Sequence, residues 1–440
     1  MIMDEKNYDC KNDLEFKKVM ENDFSKDTIE SYRTSINMFC RINKKSYSDI
    51  ISEIRDEQFD RIEDNRIIRY NPNQGKVALY CNNLINYYLE KGSSKQTIHS
   101  RLNHIRSMLK KSGIILPQKP KIAINNEIET IISRKDIQSI FKFCSIWRKA
   151  QISFLASTGM RIYDMVNLTI DDFIEATTEY HDFIYVDDFV NNAPSDMVGF
   201  WDFKPHKTRK LGLECRVCNT PESSNYILET LKRRKEILKE KGEKLAGEDP
   251  LFISERTGYN KPLHRKSVTV GFWYLNKEFQ NQLKYNLDEK LRNNEITRKE
   301  YKRSLENLPK LHPHGLRKFF TTTVRNYTTN RDISLIMEGH TSPFKMDKHY
   351  VGANDELFSD ELIKQTYYKI IPYLTFNQEV DPIEYESLKL TEKKYENQLK
   401  RNNELEKQIQ IIHENLLQLQ TFNDLVNKNS VLKELNLMDD

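Results

Sequence analysis

Apolar residues recur at helical spacing along most of this chain. In its first quarter the apolar repeats run through Ile29, Tyr32, Ile36 and Phe39, then Leu84 and Tyr87, then Ile98, Leu102, Ile105 and Leu109. Residues three and four apart share one face of an α-helix, so each repeat predicts an amphipathic helix. Ser25 and Ser94 stand just before two of these helices and are predicted N-caps, and Gly92 is predicted to end the helix between them.

The same pattern continues further along, with two short interruptions. Ser133 precedes an apolar repeat through Ile137 and Ile140, and Thr220-Pro221 opens another helix that runs towards Arg233-Arg234. Residues 183–186 are rich in β-formers, and residues 207–215 have the pattern of a strand after a turn. The chain is therefore predicted to be mainly α with a small β-sheet (α+β).

Composition changes along the chain predict five parts. Residues 1–23 are polar and unpatterned and are expected to be a flexible lead-in, and residues 24–116 form a helical domain. Residues 117–130 begin with Pro-Gln-Lys-Pro-Lys, which breaks the helical pattern and predicts an interdomain linker. Residues 131–376 form the larger domain, in which the charge-dense stretch 281–307 is expected to be a surface insertion of one or two helices.

Residues 377–440 form a C-terminal tail with its own periodicity. Its apolar positions alternate by four and three over two to three heptads, at Leu405, Ile409, Ile412, Leu416, Leu419 and Val426. Such a seam between Glu, Lys, Gln and Asn residues predicts a coiled coil. Self-association and packing onto the larger domain fit the pattern equally well.

The net charge of the chain gives little information about which molecules it binds. The chain has 440 residues, 69 Lys+Arg against 65 Asp+Glu, and a net charge of +4. This balance permits nucleic-acid binding, but local clusters must identify it. The first residues are charged and contain no apolar core, so no signal peptide is expected, and no apolar run approaches the length of a membrane span.

The six cysteines are scattered, which predicts a reduced, cytoplasmic protein without a disulfide framework. Cys215 and Cys218 form a C-x-x-C, but a zinc site needs two further ligands and no second pair lies nearby. A structural role for these two cysteines is therefore favoured over metal binding, and no cofactor is expected.

Candidate chemistry is concentrated in residues 311–351. His314 and Arg317 stand three apart and share one helical face, Gly339-His340 ends the next element, and Tyr350 follows. Two histidines, an arginine and a tyrosine in so short a stretch are typical of a phosphate site with its own nucleophile. Upstream, the stretch Ser-Thr-Gly-Met-Arg-Ile-Tyr-Asp supplies a second arginine, Arg161.

His-Gly-Leu-Arg, then Gly-His, then a tyrosine, with the Arg161 motif upstream, resembles the tyrosine recombinase (phage integrase, Xer-like) family over residues 24–376. The resemblance implies a helical core-binding domain that clamps DNA, at 24–116, and a catalytic domain at 131–376. It also implies a small sheet whose hairpin carries a lysine. Lys207 is the best match, and Lys204 and Lys210 are alternatives.

The resemblance assigns a role to each of six residues. Arg161 and Arg317 would clamp the scissile phosphate, Tyr350 would attack it, and His314 would serve as base or proton shuttle. His340 would hydrogen-bond a non-bridging oxygen, and Lys207 would protonate the leaving 5′ oxygen. The product is a 3′-phosphotyrosyl link that can be reversed without metal or ATP. The spacing from His340 to Tyr350 is one residue longer than is usual in the family, and cleavage in cis is favoured over cleavage in trans.

The implied partner is double-stranded DNA, bound by a homotetramer in the cytoplasm, in association with the nucleoid. In the first domain Lys95, His99, Arg106 and Lys110 form a polar face that would lie along DNA phosphates, and an ordinary solvated face is the alternative. Two rival functions are a type IB topoisomerase, whose helix motif begins with lysine in place of His314, and a DNA-binding accessory protein that does not cleave.

Overall fold

The computed structural model describes residues 8–21, 24–59, 61–63, 66–120, 130–254, 258–340 and 359–377, and parts of 398–412. The chain divides into two compact units, Met1–Ile128 and Glu129–Asp440.

The first unit is a helical bundle. Ser25 and Ser94 cap two of its helices as predicted, because each hydroxyl accepts a hydrogen bond from the backbone N–H three residues on. Its core holds Ile36, Phe39, Leu102 and Ile105, which the helical spacing predicted to share a face. A 3₁₀ turn precedes α1 and a two-stranded hairpin precedes α4. The elements are Cys10–Asn12 (3₁₀), α1 (Leu14–Met20), α2 (Lys26–Asn43), α3 (Tyr47–Glu57), β1 (Arg61–Glu63), β2 (Arg66–Ile68), α4 (Lys76–Glu90) and α5 (Lys95–Lys111).

The second unit combines helices with two further antiparallel hairpins. The helices predicted to start at Ser133 and at Thr220-Pro221 are present, and both Ser133 and Thr220 are their N-cap residues. Its elements are α6 (Arg134–Phe141), α7 (Ile146–Thr158), α8 (Ile162–Met165), α9 (Ile170–Ala176), Thr178–Tyr180 (3₁₀), α10 (Val186–Asn192), β3 (Phe200–Phe203), His206–Leu211 (3₁₀), β4 (Cys215–Cys218), α11 (Pro221–Glu240), β5 (Ile253–Ser254), β6 (Gly258–Pro262), α12 (Arg265–Arg292), α13 (Arg298–Glu306), α14 (Pro313–Tyr327), α15 (Arg331–Glu338) and α16 (Asp360–Leu374).

Helix α7 lies at the centre of this unit. Every residue from Ala150 to Thr158 is buried, and the helix packs against α11 and α14. Phe154 contacts Trp201 of β3 edge to face at a centroid distance of 5.2 Å. On another side, the hydroxyl of Tyr367 in α16 donates to the carbonyl of Ser157 over 2.8 Å. The helix that leads to the arginine motif is therefore held by four neighbouring elements, α11, α14, β3 and α16.

Both predicted strand positions are wrong. Residues 183–185 are irregular and α10 begins at Val186; Ile184 and Tyr185 are 80% and 73% exposed, so β-forming side chains found no partner strand to pair with. Residues 206–211 form a 3₁₀ helix, and the strand begins only at Cys215, where it pairs with β3 in the register Trp201 to Val217. The strand β3 itself was not predicted.

The charge-dense insertion and the tail have different outcomes. Residues 281–307 lie in two helices, but the first, α12, begins earlier, at Arg265, because Val268, Phe272 and Phe279 anchor its first half in the core. In the tail, the described positions between 398 and 412 are helical and Leu405 and Ile409 are exposed. Leu416, Leu419 and Val426 lie outside the described residues, so the coiled coil stays a prediction.

The described residues confirm the fold class: mainly α, with small antiparallel β-sheets. Within those same residues, no helix combines the length and the apolar character that crossing a membrane requires.

Candidate active site

Arg317 is the centre of the candidate site. It lies in α14 one residue after buried Leu316, and its side chain is itself only 8% exposed. Its guanidinium donates to two main-chain carbonyls, those of Gly159 and Glu338. These carbonyls belong to the two sequence motifs that flank α14 in space, the end of α7 and the end of α15. The two motifs, about 180 residues apart in sequence, are thus joined through one side chain.

The turn at Gly159 brings the second arginine to this position. Gly159 adopts a φ of +60° and ends α7, and an added Cβ there would lie 2.2 Å from a ring carbon of Phe320. The chain then turns so that Arg161 becomes the N-cap residue of α8. Only a glycine combines the left-handed backbone with this close approach to Phe320.

The two guanidinium groups are electrostatically coupled. Burial lowers the pKa of Arg317, and the positive charge of nearby Arg161 lowers that pKa further. Within the part of the chain that the structure describes, neither arginine has a carboxylate at ion-pair distance. Two neighbouring guanidinium groups that form no direct ion pair with a described carboxylate attract an anion with several oxygens.

His340 completes this cluster. Its Nε2 lies 3.1 Å from Nη2 of Arg317, and its Nδ1 lies 2.9 Å from Oε2 of Glu338. Glu338 is fully buried and also accepts two hydrogen bonds from Arg325, at 2.9 and 2.7 Å. The His340 side chain is 41% exposed, so the ring is anchored from behind and open to solvent in front.

The hairpin that carries Lys207 is tied to the Arg161 segment. The backbone N–H of His206 donates to Oδ1 of Asp164 over 2.9 Å, and the His206 ring contacts the Tyr163 ring at an angle of 30° with centroids 3.9 Å apart. Burial raises the pKa of the Asp164 carboxyl, against the opposing effects of the His206 bond and Arg161. Lys207 itself is exposed in the 3₁₀ segment of the connection from β3 to β4.

The two alternative lysines occupy different surroundings. Lys204 lies 3.6 Å from Glu214 in an exposed ion pair that joins the residue after β3 to the residue before β4. Lys210 is exposed later in the same 3₁₀ segment as Lys207.

Two predicted site residues remain, His314 and Tyr350. His314 is exposed in the first turn of α14, where the preceding His312 caps the helix by accepting from the N–H of Gly315 at 3.1 Å. Tyr350 lies outside the described residues. The structure therefore brings Arg161, Arg317 and His340 together, with Lys207 in the adjoining hairpin and His314 at the start of the same helix as Arg317.

Glu338 and Arg325 were missed by sequence reasoning. A glutamate and an arginine in polar surroundings normally indicate a solvated face. One signal was present: Glu338 stands four residues after Ser334 and next to Met337, and all three residues are buried at the end of α15. A charged residue in line with a buried helical face needs a partner, and the following His340 was one candidate.

The predicted DNA-contacting residues of the first unit differ in their availability. Lys95 and Lys110 are exposed at opposite ends of α5. His99 lies 3.1 Å from the side-chain amide of Asn103. Arg106 donates to the carbonyl of Pro117 over 2.9 Å, so its guanidinium holds the segment that follows α5.

Metal ligation has no visible basis in the described residues, among which no group of three or more His, Cys, Asp or Glu side chains is suited to hold an ion. Cys215 and Cys218 are buried in β4, and burial raises the pKa of Cys215 to about 12. The Cys215 thiol donates to the carbonyl of Met337 over 3.3 Å, so it helps to hold the end of α15 next to the hairpin.

Comparison with solved structures finds proteins of similar fold. The Tn1549 transposon integrase in complex with circular intermediate DNA is 14% identical, with a TM-score of 0.44 over 80% of this chain and 98% of that one. A lambda integrase tetramer bound to a Holliday junction is 14% identical (TM-score 0.42, 76% and 74% covered), and XerA recombinase is 15% identical (0.31, 80% and 96%). All three are tyrosine recombinases. With such identities and with TM-scores below 0.5, the likeness carries no argument about activity.

Comparison by sequence adds nothing, since no family model and no curated protein matches the chain.

Proposed function

We propose that this protein is a site-specific DNA recombinase, an integrase that cuts and rejoins double-stranded DNA through a 3′-phosphotyrosyl intermediate. The single observation that carries the proposal is that Arg317, held by the carbonyl of Gly159, lies close enough to Arg161 for the charges of the two guanidinium groups to act on each other. The Arg317 guanidinium is buried and fixed by main-chain carbonyls, and His340 contacts it over 3.1 Å.

This arrangement suits a phosphodiester. The transition state of attack on phosphorus carries extra negative charge on the non-bridging oxygens, and planar guanidinium groups donate to two such oxygens at once. Arg317 is held in place before substrate arrives, so little reorganisation is needed when that charge develops. Sequence motif and geometry support the same reading.

The remaining chemistry is assigned to residues that complete the set. Tyr350 supplies the nucleophilic oxygen; because a phenol has a pKa near 10 in water, it needs a positive field and a proton acceptor to attack at neutral pH. Lys207, in the connection pinned to Asp164, donates the proton to the leaving 5′ oxygen, and His314 shuttles protons from the helix that holds Arg317. The phosphotyrosyl bond keeps the energy of the broken ester, so a second 5′ hydroxyl reverses the step without ATP.

The proposed partner is a DNA duplex carrying a recombination site, bound by four copies of the chain. Lys95 and Lys110 on the exposed side of α5 would contact phosphates, with Arg106 acting through the chain segment it holds. Phosphate contacts of this kind fix register and make the affinity fall with salt, but they do not read sequence.

A type IB topoisomerase and a non-cleaving DNA-binding protein are the rival readings. A topoisomerase relaxes supercoiled DNA as a single copy on one duplex, whereas the proposed recombinase exchanges strands between two. The position of His314 at the start of the arginine helix favours the recombinase by the motif resemblance. A binding protein that does not cleave could use a guanidinium pair to hold a phosphate, but it would need neither the nucleophile nor the proton donor, so the complete set of six residues favours cleavage.

The deciding experiment uses nicked suicide substrates, which trap a covalent complex after one strand is cut. We expect the wild-type chain to form a DNA adduct and Tyr350→Phe to form none while binding the same DNA with nearly unchanged affinity. Tyr327→Phe is the matched control, because that tyrosine is exposed and stacks on Tyr373 through a ring that phenylalanine retains.

Four outcomes separate these hypotheses. An adduct in wild type and in Tyr327→Phe, but not in Tyr350→Phe, supports the proposal. Adduct formation that persists in Tyr350→Phe removes Tyr350 from its role. Gel retardation by the wild-type chain without any adduct leaves only the binding protein, and relaxation of plasmid DNA without strand exchange between two sites indicates the topoisomerase.

A further inference from the structure

Glu338 is a buried carboxylate that faces the candidate site from behind. Its side chain has no exposed surface, yet it sits at the end of α15, one residue before the Gly339 turn that leads to His340. Its two oxygens accept from Arg325, and Oε2 also receives Nδ1 of His340 at 2.9 Å. Burying a carboxylate costs folding free energy unless the charge is paired, so Glu338 needs these contacts to remain buried in the folded protein.

The hydrogen bonds on the two sides of the His340 ring determine which nitrogen carries the proton. A guanidinium has only N–H donors and no acceptor, so Nε2 of His340, 3.1 Å from Nη2 of Arg317, must be the acceptor of that bond. An ionised carboxylate has only acceptors, so Nδ1 must be the donor to Glu338. The neutral ring is therefore held in the Nδ1–H form, with the lone pair of Nε2 directed at the site.

Glu338 remains ionised at neutral pH. Burial acts to raise the pKa of Glu338, but the hydrogen bonds from His340 and Arg325 outweigh burial and hold that pKa below its usual value. Arg325 is 56% exposed, so it neutralises the carboxylate from the surface without being buried itself. Arg325 therefore balances the charge of Glu338, and the hydrogen bond with His340 fixes how the carboxylate and the ring face each other.

We propose that Glu338 is a positioning residue which fixes the His340 tautomer, and that Nε2 of His340 accepts the proton of the attacking hydroxyl. This proposal rests on the proposed function, and it replaces both the hydrogen-bond donor role expected for His340 and the role of base expected for His314. A neutral ring with its N–H turned towards Glu338 has no N–H left to give a phosphate oxygen, whereas its Nε2 lone pair can take a proton.

The proposed step exchanges one phosphoester bond for another. The phenol oxygen forms a bond to phosphorus while the bond from phosphorus to the 5′ oxygen breaks. The phenolic proton moves to Nε2, and the leaving oxygen takes a proton from Lys207. The imidazolium that results is stabilised by the adjacent Glu338 carboxylate, as a carboxylate stabilises the protonated histidine of a serine protease triad.

Arg317 links this base to substrate binding. In the free protein its Nη2 is bonded to Nε2 of His340, which covers the lone pair. A phosphate that draws this N–H to one of its oxygens releases Nε2 at the same moment. The base thus becomes available only when the group to be attacked is bound.

The first test needs no DNA and no activity. Nitrogen-15 spectra of the histidine side chains in the full chain, with His340 assigned through His340→Gln, report which ring nitrogen carries the proton. We expect Nδ1–H in the wild type. Glu338→Gln should keep this form, since the amide oxygen still accepts from Nδ1, and Glu338→Leu should lose it. An Nε2–H ring in the wild type would overturn the proposal.

The second test measures the rate of adduct formation on suicide substrates. Glu338→Gln keeps the direction of the ring but removes the charge that stabilises imidazolium, and Glu338→Leu removes both. We expect slowing by about tenfold or more for the first and about a hundredfold or more for the second. DNA affinity should not change in either. Equal rates in Glu338→Leu and the wild type would contradict a positioning role.

Arg325→Gln is the matched control. It removes the other partner of Glu338 and leaves the bond to His340, so a purely structural role of the Glu338 ion pair would slow Arg325→Gln as much as Glu338→Leu. We expect Arg325→Gln to stay within about threefold of the wild type. If the wild-type chain forms no adduct at all, the proposed function fails, while the spectra still decide whether Glu338 fixes the His340 tautomer.

Discussion

A guanidinium is almost never fully buried unless its donors are satisfied, and Arg317 shows how this chain meets that condition. It is held by carbonyl groups instead of carboxylates, so its donors are satisfied without a direct ion pair. A carboxylate in the same place would have satisfied the donors and neutralised the site. Carbonyl anchoring is therefore the feature that keeps Arg317 available to an anion.

Arg161 and Arg317 should respond differently to truncation. We expect Arg161→Ala and Arg317→Ala each to slow cleavage by about a hundredfold or more, as expected when a donor to the transition state is lost. Only Arg317→Ala should also lower the melting temperature, because it leaves the buried carbonyls of Gly159 and Glu338 without their donor. Adduct kinetics and thermal unfolding of the full chain measure the two effects.

Arg233→Ala provides the control for these two variants, since Arg233 is an exposed arginine paired with Glu229 one turn earlier on α11. It should change neither rate nor stability noticeably. Cleavage at the wild-type rate by either site variant would refute the clamp.

Among the helices and strands, the features that depend on a few neighbouring residues could be predicted from the sequence. Ser25, Ser94, Ser133 and Thr220 cap helices where the sequence places them, because a cap depends only on the next three residues. Strands were misplaced because pairing depends on a distant partner: Ile184 and Tyr185 have β-forming side chains but no strand beside them. The ordered motifs predicted Arg161 and Arg317, whereas Arg325, the partner of buried Glu338, lies 13 residues earlier on another helix and no local pattern identifies it.

The turn that ends α7 is the element boundary on which the candidate site depends most. We expect Gly159→Ala to destabilise the protein by about 2–5 kcal/mol, because a Cβ would both occupy a left-handed backbone position and overlap the Phe320 ring. Gly242→Ala is the matched control in the same unit: its φ is +73°, but no atom lies within 4 Å of an added Cβ. That variant should cost only about 1 kcal/mol.

Chemical denaturation of both variants measures this difference. Equal destabilisation by the two substitutions would show that backbone conformation alone, and not the contact with Phe320, makes glycine necessary at position 159. Gly159→Ala should in addition reduce adduct formation, since it displaces the carbonyl that holds Arg317.

The net charge and the length of the whole chain do not determine how it assembles on DNA, so assembly has to depend on local features. A net charge of +4 over 440 residues gives little long-range attraction to DNA, so binding has to rely on the placed cations of each unit. A proposed exchange of strands between two duplexes needs several copies at one place. The heptad seam of the tail is the part of the sequence that would supply contacts between copies.

Deleting residues 383–440 from the otherwise complete chain tests this role of the tail. We expect the truncated chain to sediment as a smaller species than the full chain at the same concentration, while strand cleavage on a suicide substrate changes by less than about threefold. The double variant Leu405→Glu, Ile409→Glu is the matched control, because it keeps the length of the tail and places charge at two exposed seam positions. It should reproduce the smaller species. If both variants keep the oligomeric state of the full chain but melt at lower temperature, the seam packs onto the rest of its own chain, and assembly on DNA has to come from other surfaces.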